Sequence, residues 1–210
     1  MTRQQIKAMA REQIRGKVLG TLFRISLFIY LIMLAAELAG TLVHPIVGMV
    51  LSLLLAPAFT VSNIRIYRKL TFGIYPQNRD MFVGFYNYVS AVATYYLSLV
   101  LTLAWSLLLI VPGIIKGLGY TFSMYVAAEH PEISPIEALR RSEKMMKGHK
   151  MELFVLMLSF IGWMILAPFT LGILYIWLIP YMQASLVNFY NTIKPDPEAE
   201  ENAEEQGAEW

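Results

Sequence analysis

The residues best placed to do chemistry are four cations on one short helix. Arg140, Arg141, Lys144 and Lys147 follow Ser134-Pro135-Ile136-Glu137. Ser134 can cap a helix, Pro135 suits its first position, and Glu137 completes a capping box. At 3.6 residues per turn the four cations share one arc of about 120°. Ile136, Ala138, Leu139, Met145 and Met146 take most of the opposite side, and Gly148 is placed for the stop. His149 and Lys150 extend the basic surface. Such a helix lies on a membrane, with its cations to the headgroups and its apolar side down. The chemistry is therefore recognition of anionic lipid or of a protein partner.

Other candidates are few. Glu37 and Lys116 are charges inside apolar runs, and an intramembrane acid usually faces a partner or water. Both belong near the outer end of their segments, so they are expected to form an ion pair. The histidines, His44, His130 and His149, are scattered. No HExxH, GxSxG, Walker A or paired-carboxylate motif is present. The absence of cysteine rules out disulfides, thiolate metal sites and a cysteine nucleophile. No catalytic residue, cofactor or metal is expected.

The elements that must position these residues are membrane elements. The chain has 210 residues, of which 57% are hydrophobic and only 15% charged. A soluble domain carries about 25% charged residues. Apolar runs at about 18–41, 46–64, 89–111, 113–128, 151–167 and 171–189 read as six transmembrane helices in three hairpins. The fold class is thus an all-α, polytopic membrane protein with cytoplasmic interfacial helices. Pro57, Pro112 and Pro180 are expected to kink or break their helices. In the third run Ser90, Thr94, Ser98, Thr102 and Ser106 recur every four residues, a row that lets another helix approach closely.

Polar segments separate the spans. Residues 1–17 read as a basic juxtamembrane helix with Arg3, Lys7, Arg11 and Arg15 in a stripe, too charged for the core of a signal peptide. Residues 70–88 are aromatic and interfacial, part helical after Asn78, and 135–148 form the capped helix. Residues 191–210 make an acidic tail of low complexity, expected to be disordered.

Six spans place both termini on one side. Sixteen of the seventeen Lys and Arg then fall on that side, and only Lys116 falls opposite. The positive-inside rule makes that side cytoplasmic and the protein a multi-pass cell-membrane protein. Seventeen cations against eight carboxylates give residues 1–195 a net charge of +9. Contact with anionic headgroups follows, and nucleic acid is not expected, because the cations sit in short segments beside spans. A parallel repeat is suggested at an offset of 123 residues: Pro45, Leu55, Pro57, Ser62 and Tyr67 match Pro168, Leu178, Pro180, Ser185 and Tyr190.

Three stretches carry a resemblance to a known family. WSLLLIVPGIIK (105–116), SPIEALRRSEKMMKGHKMELFVLMLSFIGW (134–163) and TLGILYIWLIPYMQASLVNFY (170–190) resemble the bacterial integral membrane proteins of domain-of-unknown-function family 975. The resemblance spans about residues 1–193. It implies a Gram-positive-type membrane protein of six helices and implies no activity. A remoter similarity is to membrane regions that accompany some glycerophosphodiester phosphodiesterases. The function expected is a scaffold, accessory or regulatory component at the cytoplasmic face. The alternative is a transporter of a small molecule, lipid or ion, with a membrane-embedded enzyme further behind.

Overall fold

The computed structural model describes residues 2–15, 20, 23–170 and 172–195. Among these there are nine α-helices and no strand. They are α1 (Arg3–Ile14), α2 (Phe23–Val43), α3 (Pro45–Thr71), α4 (Tyr88–Leu108), α5 (Ile110–Tyr120), α6 (Ser123–Glu129), α7 (Pro135–Met145), α8 (Lys150–Leu166) and α9 (Tyr175–Ile193). A 3-10 segment, Asn78–Phe85, precedes α4, where a part-helical interfacial stretch was expected. The residues of the acidic tail from 196 onward lie outside the described residues.

Three stretches are long and apolar enough to cross a membrane: Arg24–Val43, Pro45–Thr71 and Tyr88–Leu107. Six full-length spans are not supported. The expected fourth span, 113–128, is two short helices that meet at Thr121-Phe122. At 1.5 Å per residue α5 is about 16 Å long, roughly half of a hydrocarbon core. Helix α8 has 17 residues and meets α7 at 90°. Pro112 does not kink a helix. It is the third residue of α5, where its missing N–H costs no intrahelical bond, and the chain turns at the extended Leu109 instead.

Pro57 and Pro180 do lie inside helices, in α3 and α9. A proline at 57 leaves the Leu53 carbonyl without its helical donor. Tyr96 of α4 supplies a replacement, its hydroxyl donating to the Leu53 oxygen at 2.6 Å. The Tyr88 hydroxyl donates to the Leu54 oxygen at 2.8 Å. Tyr96 thus supplies the donor that Pro57 withholds, and Tyr88 adds a second bond from α4 to α3. Both proline helices also change surroundings near the proline. In α3 the large exposed apolar residues end at Leu54, and Pro57, Ala58, Phe59, Val61, Ser62, Ile64, Ile66, Tyr67 and Leu70 are buried. In α9 they end at Ile179, and burial dominates from Pro180 to Tyr190. Ser62 and Ser185, five residues after each proline, both donate to the carbonyl four residues back. Of the positions matched at offset 123, the internal prolines and the serines share local structure, whereas Pro45 begins α3 and Pro168 lies in a 3-10 turn before α9.

The hairpins close on small residues. A Cβ on Gly40 of α2 would stand 2.2 Å from the Gly48 Cα of α3, so only glycine permits that approach. Gly113 and Gly117 of α5 face Ser106 and Thr102 of α4 in the same way. The α4 hydroxyls of Ser98, Thr102 and Ser106 bond to carbonyls of their own helix. The far end of the expected small-residue row, Thr102 and Ser106, is thus a packing face for α5.

Candidate functional site

The polar helices that were expected to lie on lipid are docked on the protein. Helix α7 buries Ala138, Leu139 and Ser142, and Met146 just after it is buried too, while Ile136 remains 59% exposed. The apolar side therefore faces helices α4, α5 and α6 rather than the acyl chains, a correction to the amphipathic reading. Ser142 explains the docking. Its hydroxyl accepts from the Phe122 N–H at 3.2 Å and donates to the Gly119 carbonyl at 2.6 Å. Those are the backbone groups released where α5 gives way to α6. One buried serine of α7 thus seals the break in the preceding helix pair.

The six candidate surface residues do not form one continuous cationic face. Arg140, Lys144 and Lys147 are exposed. Arg141 turns to Glu137, Nε to Oε1 at 3.3 Å. His149 approaches Glu152 at 3.3 Å. The Lys150 side chain lies beside Gly119, its Nζ 3.4 Å from where a Cβ on that glycine would stand. The helix ends at Met145, and Gly148 takes φ +84° in the turn that follows, where L side chains are strained.

The expected Glu37–Lys116 pair does not form. Glu37 accepts from the Ser52 hydroxyl at 2.5 Å, inside the α2–α3 hairpin. Lys116 pairs with Glu143 of α7 at 2.5 Å and lies over the Trp105 ring at 5.3 Å. Lys116 therefore bonds to the connection expected to be cytoplasmic, and not to the α2–α3 hairpin. The reason is the length of α5, which is too short to carry Lys116 far from α7.

The tightest charged cluster is one that sequence reasoning missed. Glu129 ends α6, and its side chain is 10% exposed. Its Oε1 meets Arg68 of α3 and Lys194 after α9, each at 2.5 Å. Its Oε2 accepts from the Tyr190 hydroxyl. Arg65 adds a bond from Nε to the Ala128 carbonyl at 3.2 Å. Burial pushes the Glu129 carboxyl upward, but Lys194, Tyr190 and Arg68 outweigh it and hold the group below the usual carboxylate range. Nearby, Asp80 accepts from Lys69 at 2.6 Å and from the Gln77 N–H at 2.7 Å. Burial raises the Asp80 carboxyl, and Lys69 with the Gln77 amide brings it below its ordinary value. The one available signal for Glu129 was its position as an acid among inner-side cations. Nothing in the chain order pointed to partners 61 and 65 residues away.

The basic N-terminal stripe is also placed. Thr2 and Gln5 form a capping box, and Ile6, Ala10 and Ile14 are buried at four-residue spacing. Gln13 and Asn188 of α9 exchange amide hydrogen bonds at 3.2 and 2.8 Å. Lys7 stands 4.3 Å from the Phe160 ring centroid and Arg11 5.3 Å from that of Tyr181. Between α1, α8 and α9 runs an open groove of about 590 Å³, floored by Ile6, Val155, Leu156 and Phe189.

These features fall largely within one matched region. Residues 81–196 match the family described as protein of unknown function (DUF975). The chain belongs to the DUF975 family. The match covers more than half of the 210 residues. It takes in the α4–α5 packing face, Ser142, the Lys116–Glu143 pair, Glu129, Tyr190 and Lys194. Arg65, Arg68 and the α2–α3 hairpin precede it. The DUF975 match names no activity. No curated protein and no solved structure matches the chain. Among the described residues no group of three or more His, Cys, Asp or Glu is placed to hold a metal.

Proposed function

We propose that this protein is a multi-pass membrane protein of the bacterial cell membrane, with both termini cytoplasmic. It acts without catalysis, as a scaffold or accessory subunit that presents a basic, headgroup-level face. Three hairpins enter the bilayer from that face: α2–α3, α4–α5 and α8–α9. The second has one long and one short limb. The observation that carries the reading is the division of the surface. Large exposed apolar side chains line α2, the first half of α3, the second half of α4, α5, α8 and the start of α9. The other end is closed by α1, α7 and the 3-10 segment, and it holds the ion pairs of Glu129 and Asp80. Water-exposed apolar area of that extent is costly for a soluble chain, and lipid removes the cost. A transport path has less support, because Ser98, Thr102 and Ser106 of the α4 row bond to carbonyls of their own helix, although the Ser90 and Thr94 hydroxyls are buried without a partner among the described residues.

The chain has no cysteine, which makes the test direct. Single variants Thr2→Cys, Leu42→Cys and Phe169→Cys are probed with a membrane-impermeant maleimide in intact cells and in inverted vesicles. Leu42 and Phe169 should react from the outside and Thr2 from the inside. Labelling of Thr2→Cys and Leu42→Cys from one side would overturn the reading.

A further inference from the structure

We propose that the groove between α1, α8 and α9 is a binding site for an anionic phospholipid, with Arg3 at its rim receiving the phosphate and Lys7 and Arg11, farther along the same face of α1, adding positive potential. The site rests on the membrane reading above and gives it a particular ligand and place. Its floor is apolar, formed by Ile6, Val155, Leu156 and Phe189, and its rim carries Arg3, Gln4 and Glu152. One wall includes Met151, which is 68% exposed and begins the apolar strip of α8. The groove therefore opens where an acyl chain would lie. Its size, about 590 Å³, suits part of one chain better than a globular partner.

Charge selects the headgroup. Arg3, Lys7 and Arg11 recur every four residues on one face of α1. They form no ion pair among the described residues, whereas Arg68, Lys69, Lys116 and Lys194 all do. Glu152 on the opposite rim, with His149 at 3.3 Å, is the one carboxylate among the described lining residues. Lys7 is turned onto the Phe160 ring, just beyond the groove floor at Leu156. Partial burial, and then the neighbouring charges of Arg3 and Arg11, draw its ammonium below the ordinary lysine range. Three cations that crowd one another beside an apolar slot leave positive potential for an anion to relieve. This places the selective lipid contact on α1, and not on the α7 cations.

The test uses the full chain, stripped of lipid in mild detergent. Phosphatidylglycerol or phosphatidylcholine is then supplied, and bound lipid is counted by native mass spectrometry. Phosphatidylglycerol should be retained over phosphatidylcholine. Arg3→Gln with Lys7→Gln should lower that retention about tenfold. Val155→Trp, which fills the groove and leaves the cations, should lower it as much. Arg140→Gln with Lys144→Gln and Lys147→Gln should leave it unchanged. Equal retention of the two lipids would overturn the proposal, as would wild-type retention by both the α1 and Val155 variants. A tenfold rise on removal of residues 196–210 would also overturn it, because the acidic tail would then be the occupant. If the site fails while Thr2 and Leu42 still label from opposite sides, the membrane reading stands without it. Same-side labelling removes both.

Discussion

A proline inside a helix creates a local debt that a distant residue must meet, and Tyr96 meets it here. Its hydroxyl occupies the Leu53 carbonyl that Pro57 leaves without a donor. Tyr96→Phe should cost about 1–2 kcal/mol, because that carbonyl loses its replacement partner. The loss should shrink in a Pro57→Ala background, where the backbone N–H returns. Thermal unfolding in detergent of the two single variants and the double variant measures the coupling, and additive costs would count against this role for Tyr96. Glu129 acts at the same scale. Its folded carboxyl sits below the usual range, so the folded state favours the ionised form. That stabilisation is fully present above the unfolded carboxylate pKa and is lost as pH falls through the lower folded value. Glu129→Gln leaves Arg68 and Lys194 without their shared carboxylate and should cost about 3 kcal/mol near neutral pH. The variant should also lose part of the wild type's acid sensitivity, which melting curves recorded across acidic pH will reveal.

Among the elements, α7 decides the geometry of its surroundings. Its N-cap was readable from Ser134, which accepts from the Glu137 N–H at 3.2 Å, but the Glu137 carboxylate that would complete a capping box accepts from Arg141. Its seat was not readable. Ser142 lies on the same helix as the conspicuous cations, yet it is the residue that fastens α7 to the α5–α6 break. Ser142→Ala should destabilise the fold by about 1–3 kcal/mol, since a buried N–H and a buried C=O lose their partner together. Arg140→Gln, on the exposed face, should change stability by less than about 0.5 kcal/mol. Comparing the two by fluorescence-detected gel filtration after a heat step separates docking from surface charge. In the α2–α3 hairpin, Gly40→Leu forces the helices apart at Gly48 and should abolish folded yield, whereas Gly20, with nothing within 4 Å of its Cβ position, should tolerate alanine.

For the whole molecule, one ion pair reports how α5 sits against α7. Lys116 was expected opposite the other sixteen basic residues, in partnership with Glu37. It is joined instead to Glu143, within the α7 segment. Lys116→Glu alone should reduce accumulation in the membrane by placing two acids together. Lys116→Glu with Glu143→Lys should restore it, and Lys116→Glu with Glu37→Lys should not. Immunoblots of membrane fractions decide between the two pairings. If only the Glu37 double variant recovers, the position of α7 beside α5 is wrong.

The sequence by itself determined the helical class, the apolar runs, the basic segments between them, the two proline-bearing helices and the packing row on α4. These are periodic or compositional properties, and local physics reads them directly. Family membership was legible as well, through three contiguous stretches. Only the tertiary structure decided which groups meet. Glu129 gathers Arg68, Tyr190 and Lys194 from three parts of the chain, and Tyr96 reaches across to α3. Lys116 chooses Glu143 because α5 stops after eleven residues. The amphipathic pattern of α7 could be satisfied equally by lipid or by neighbouring helices, since both are apolar. A single buried hydroxyl, Ser142, selected the protein, and no periodicity in the sequence distinguishes that hydroxyl from one facing a headgroup.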